Sequence, residues 1–122
     1  MEYIAVNGCE LALDHGSGSI SISSTPSTKV KAGGKGCYKG KISFSVSGFS
    51  GTKITNSNGS GSGNISGSAE HVLIEGDSAV LANDEVTVTL KGTAGTGQSE
   101  HQESEDVTVK VKKAGQDKVI GA

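Results

Sequence analysis

The sequence predicts an all-β domain of short strands and tight turns, and three observations carry that prediction. Apolar residues, mostly Val, Ile and Leu, alternate with polar ones over many short runs. The runs are separated by turn-forming residues, and 19 of the 122 positions are Gly. No stretch of a dozen residues carries a 3.6-residue apolar period.

Each element follows from its own residues. "EYIAV" (2–6), "ELAL" (10–13), "SISIS" (19–23), "TKVKA" (28–32) and "KISFSVS" (41–47) alternate as half-buried strands do. "TKIT" (52–55), "HVLIE" (71–75), "SAVLA" (78–82), "EVTVTLK" (85–91) and "DVTVKVKK" (106–113) continue the series. Turn chemistry divides them at Asn7-Gly8, "HGSG" (15–18), "GGKG" (33–36), Gly76-Asp77 and Asn83-Asp84. Pro26 falls between strands, where no ladder donor is lost. Two stretches interrupt the alternation: "NSNGSGSGNISGS" (56–68) and the polar, acidic 92–106 are expected as flexible loops. The whole of 1–122 is read as one domain, because a second core would be too small to hold itself together.

Composition narrows the function classes. Hydrophobic residues make up 33%, aromatics 3%, and Trp is absent, so a large-side-chain pocket for an organic ligand has little to line it. A formal charge of −2 gives no basic patch for nucleic acid. No apolar run approaches the roughly 20 residues of a spanning helix. The opening "MEYIAVNG" lacks the basic and apolar regions of a signal peptide, so synthesis in the cytoplasm is expected. Nothing resembling a nucleophile elbow, a paired-carboxylate site or a phosphate-binding loop with its Lys-Ser/Thr is present, and a non-enzymatic role is expected. A core this thin gains from a metal, a trimer or a partner to sit on.

Residues 6–22 align without gaps against 74–90, matching Val6 with Ile74, Gly8 with Gly76, Leu13 with Leu81, Ile20 with Val88 and Ile22 with Leu90. Units this short cannot bury their own apolar faces and point to a motif used more than once. The repeated unit "HVLIEGDSAVLANDEVTV" resembles the hallmark of PAAR and PAAR-like proteins, with Ile74, Gly76, Ala79 and Asp84 near the motif's places and Ser78 where a proline is usual. "YIAVNGCELALDHGSGSISI" and the closing "VTVKVKKAGQ" are similar to the opening and end of the PAAR-like branch. The resemblance implies a small, glycine-rich β cone acting as a structural tip. Such a tip caps and sharpens the trimeric β-helical spike of a contractile injection machine (a type VI secretion system or a phage-tail-like particle), one copy per trimer. It also implies transient contact with a target membrane, release outside the cell from the apparatus tip, and effector cargo as a further partner. The spike contact is expected from main-chain edges and from Ile4, Val6, Ile74 and Leu90. A small β-sandwich binding or adhesion module of a phage or surface structure is the alternative reading.

For the tip itself the resemblance implies one zinc or iron ion. "DHGSGSI" keeps the family's His-Gly at His15, and "GCYKGKI" keeps Cys37 and Gly40, but Tyr38 replaces the proline and the second histidine is missing. Further ligands would then come from His71 or Cys9. Each has a plain structural reading too: His15 as a solvated turn residue, Cys37 and Cys9 as buried thiols, His71 as a half-exposed strand residue. A metal-free tip closed by packing stays open.

Overall fold

The computed structural model describes residues 2–121 and is built of strands. In chain order these are β1 (Glu10–Leu13), β2 (Ser17–Ile22), β3 (Lys31–Ala32), β4 (Lys35–Gly36), β5 (Lys41–Ser50), β6 (Gly59–Ser66), β7 (Leu73–Ile74), β8 (Asp77–Ser78), β9 (Glu85–Ala94) and β10 (His101–Lys113). Six of them curl into one nearly closed, barrel-like sheet in the order β1-β10-β9-β6-β5-β2. Every ladder in it is antiparallel. The all-β expectation holds, and two-stranded ribbons β3–β4 and β7–β8 stand beside the curled sheet.

Below the barrel lies a feature that the sequence hides. Residues 3–7, 36–40 and 78–82 pair cyclically through the antiparallel bridges Ile4↔Leu81, Val6↔Cys37 and Lys39↔Ala79. The hydrogen bonds repeat around the ring: Asn7 donates to Gly36 (2.8 Å), Gly40 to Ser78 (3.2 Å) and Ala82 to Tyr3 (2.9 Å). Each segment also ties back to a short ribbon in the same way. Ile4 donates to Val119, Cys37 to Val30 and Ala79 to Val72, at 3.0 to 3.1 Å. The ribbons are β3–β4, β7–β8 and a third from the two ends of the described chain, where Tyr3 bridges Ile120 and Gly121 donates to Glu2. The first two turn through Gly33-Gly34 (φ 60 and 82) and Glu75-Gly76 (φ 52 and 93), two positive φ values in succession as a type I′ turn requires. The domain is therefore pseudo-three-fold: ribbon, ring segment, then two barrel strands, three times over.

This corrects the repeat read from sequence. Val6 is equivalent to Leu81, not to Ile74, and a third copy runs through residues 30–50. The two offsets, 68 (74 − 6) and 75 (81 − 6), differ by seven, and the turns between the short runs reset the alternation, so patterning does not hold one register across them. Only the ring's bridges fix the true one.

The ring separates two cores. Ala5, Tyr38 and Val80, its middle residues, are buried and plug the barrel with Ile42, Phe44, Phe49, Leu90 and the valines of β10. The flanking Ile4, Val6, Cys37, Ala79 and Leu81 turn the other way and join Ala32, Ala69 and Ile74 in a cluster under the ribbons. Alternate residues of an extended segment point to opposite faces, so one ring seals both cores.

Two expected loops are partly strand. Residues 59–66 form β6, whose burial alternates along Gly59, Gly61, Gly63 and Ile65 inward and Ser60, Ser62, Asn64 and Ser66 outward. The inward glycines make room: a Cβ on Gly61 would lie 2.6 Å from a Leu90 methyl, and one on Gly63 would lie 2.5 Å from a Val88 methyl. In 92–106 only a short turn with a 3-10 segment at Gly97–Ser99 stands outside β9 and β10. "TKIT" goes the opposite way, because the amides of Thr52, Lys53 and Ile54 bond a carboxylate instead of a strand.

Candidate functional site

The three-ribbon face follows from the ring. Among the described residues, the large apolar side chains left exposed are Tyr3 (37%), Leu73 (58%), Val119 (38%) and Ile120 (41%). All four lie on the ribbons. Leu73 and Ile120 are equivalent around the axis, and Lys31 takes their place on the first ribbon, since Lys31↔Gly36, Leu73↔Ser78 and Ile120↔Tyr3 pair alike. Ser27 and Gln116 brace two of the units similarly. The Ser27 hydroxyl accepts from Lys29 and Val30, and the Gln116 amide oxygen accepts from Lys118 and Val119. The Ser27 amide donates to the Cys37 carbonyl, and Gln116 Nε2 donates to that of Ile4. The face is thus rigidly held, apolar in part and three-fold in outline. Symmetric partners meet through surfaces that share their symmetry.

The opposite end of the barrel is closed by Glu105. Its buried carboxylate accepts from the amides of Thr52 (3.0 Å), Lys53 (2.8 Å) and Ile54 (3.1 Å), and from His15 Nε2 (2.5 Å). Burial pushes this carboxyl up, but the amide and histidine hydrogen bonds outweigh it and hold it at about 2. His15 is raised above its ordinary value, first by Glu105, against the pull of burial, and then by Asp14 on Nδ1 at 2.8 Å. Its ring stands edge-on to Phe49, with centroids 6.0 Å apart. Successive amides converging on one carboxylate make an anion nest, here filled by the protein's own side chain.

The sequence-predicted ligands do not converge. His15 sits at the Glu105 end with both ring nitrogens facing carboxylates. Cys37 lies in the ring at the other end of β5, which at ten residues spans roughly 30 Å. Cys9 is buried in the barrel core and Cys37 in the ribbon cluster, on opposite sides of the ring. Burial raises both thiols, Cys9 to about 11. His71 is exposed where the second ribbon begins. Among the described residues no three of His, Cys, Asp and Glu gather as metal ligands. These four residues do not fit a shared zinc or iron ion.

The expected partner contacts are corrected as well. Ile4 (3%), Val6 (0%), Ile74 (2%) and Leu90 (0%) are interior, the first three under the ribbons and Leu90 in the barrel. Their alternation marked the core face, and their exposed neighbours Tyr3 and Leu73 carry the surface. Sequence reasoning also missed Glu105, an acid inside "SEHQESED" (99–106); its signal was an inward place on a strand that alternates through Val107, Val109 and Val111.

No family model matches this chain, and no curated protein or solved structure matches it.

Proposed function

We propose that this chain is a non-enzymatic structural tip that sits, one copy at a time, on the end of a trimeric β-helical spike in a contractile injection machine. The observation that supports this reading is the pseudo-three-fold ring with its three ribbons. A single chain that repeats one surface three times about an axis meets a trimer's end in three like ways at once. The ribbons present Tyr3, Leu73, Val119 and Ile120 to it, and burying such apolar surface contributes about 25 cal/mol per Å². The resemblance to PAAR-like proteins leads to the same partner from sequence. The barrel then points away, and Glu105 and His15 at its far end serve closure, not catalysis, in this reading. Synthesis in the cytoplasm, delivery at the tip of the apparatus and contact with a target membrane belong to the same proposal.

The test is stoichiometry. Native mass spectrometry of the chain mixed with the trimeric spike of its own host is expected to give the trimer plus one mass of 12.2 kDa. Three copies per trimer, or no complex at micromolar concentration, would overturn the reading.

A further inference from the structure

In two of the three units the barrel strands form closed hairpins. The β5–β6 ladder runs from Lys41↔Ser66 to Phe49↔Gly59, and the β9–β10 ladder from His101↔Ala94 to Lys110↔Glu85. The third unit departs from this. β1 and β2 are joined by the turn at residues 14–16, yet β1 pairs only with β10 and β2 only with β5 among the described residues. Two strand edges therefore face each other across an open seam.

The main chain along that seam can be assigned. Asp14 donates its amide to Thr108 at 3.0 Å, and Ser23 donates to Ser43 at 2.8 Å. Roles alternate along an antiparallel strand, so Ala12, Ser19 and Ser21 also turn their main-chain groups to their ladders. Leu11, Leu13, Ile20 and Ile22 turn theirs to the seam. Their side chains are only partly buried against the barrel core. A cleft of about 380 Å³ lined by Cys9–Ala12 and Lys112 of the paired β1 and β10 and by Ile20 and Ile22 of β2 continues into one of about 320 Å³ towards Gly16–Gly18.

We propose that this seam is a docking groove for an extended polypeptide segment of a separate protein, with apolar residues at alternate positions. The occupant is set by the chemistry of the walls. Two rows of N–H and C=O groups that pair with no other strand among the described residues match, along their whole length, another main chain running between them, and the half-buried Leu11, Leu13, Ile20 and Ile22 call for apolar side chains facing inward. A small ligand would leave the rows unpaired, and a helix would present no free main chain to them.

Hydrogen exchange on the full chain, read by NMR with and without the peptide Lys-Val-Thr-Val-Thr-Val-Lys, tests this. In the free protein the amides of Leu11, Leu13, Ile20 and Ile22 should exchange about a hundredfold faster than those of Ala12, Ser19 and Ser21. Saturating peptide should slow the first set about tenfold, and a version N-methylated at two valines should bind about tenfold more weakly. Four outcomes would overturn the proposal. Equal protection in the free protein would mean that β1 and β2 close on each other. Protection rising with protein concentration alone would mean that a second copy fills the seam. Exchange unaffected by the peptide would mean that no strand is accepted. Equal binding of the N-methylated version would mean that side chains alone make the contact.

Discussion

At the ring, the barrel is closed by three segments with unlike side chains at equivalent places, Ala5, Tyr38 and Val80, held by one hydrogen-bond pattern repeated three times. At the opposite end it is closed by a single carboxylate that gathers three amides and a histidine. The first closure is made of backbone and tolerates varied side chains as long as their summed volume fills the barrel floor. The second depends on one charged group and has no substitute. Ring stability should therefore answer to volume, and far-end stability to charge.

The largest effect should come from volume at the ring. Tyr38 is the bulkiest of the three plugs and is 3% exposed. Tyr38→Ala should cost about 3–5 kcal/mol in urea unfolding, as truncations of large buried aromatics do. Tyr38→Phe, which keeps the ring's volume, should cost under about 1.5 kcal/mol. Equal losses for the two variants would show that the hydroxyl, not the volume, closes this end.

Charge at the far end comes next. Glu105→Ala leaves the amides of Thr52, Lys53 and Ile54 without their acceptor, at a cost of about 2–3 kcal/mol. The damage should be local. Exchange of those three amides should quicken, while Asn7, Gly40 and Ala82 in the ring keep their protection. Ring amides that quicken equally would mean that the two closures are one cooperative unit.

pH separates the two ends further. Glu105 is held at about 2, below its ordinary 4.5, so its stabilisation is complete above pH 4.5 and is lost as pH falls towards 2. His15 is raised above 6.5, so its stabilisation is complete below pH 6.5 and fades as pH climbs through the raised value. Stability should peak between these limits. His15→Gln should flatten the alkaline flank and make the acid flank slightly shallower, because the amides still hold Glu105 low; Glu105→Gln should flatten both, since Glu105 is the main cause of the His15 shift. His101 shifts in the same direction through Ser99 and Glu103, so the profiles are best compared in a His101→Gln background. An alkaline flank unchanged by His15→Gln would remove the histidine from the closure.

How much of this was legible in the sequence follows from what alternation can encode. Period-two patterning gives the faces of β5, β9 and β10 directly, because each keeps apolar residues inward. It also marked Ile4, Val6, Ile74 and Leu90, but patterning cannot tell a buried contact from an interface, and all four are core. β6 looked like a linker because most of its inward residues are glycines, whose reason lies in Leu90 and Val88 on the neighbouring strand β9. The ring was hidden because its symmetry is in backbone pairing. Ile4, Cys37 and Ala79 are equivalent without resembling one another. The four residues named as ligands stay apart for a related reason: His15 and Cys37 carry suitable atoms, and the fold places them at opposite ends of β5.

The smallest stability effect should accompany the largest effect on docking. Leu73 is 58% exposed on the second ribbon, so Leu73→Ser should change unfolding free energy by no more than about 0.5 kcal/mol. If the ribbons meet a trimer's end, the same substitution removes one apolar contact of a three-part interface. Binding should weaken by about tenfold, corresponding to roughly 1.4 kcal/mol. Lys31→Leu tests the converse, since it places an apolar side chain where the first ribbon breaks the symmetry. It should strengthen binding if the interface is three-fold in its chemistry as well as its outline. A ribbon substitution that left binding untouched, while one at the Glu105 end abolished it, would reverse the assignment of the two ends.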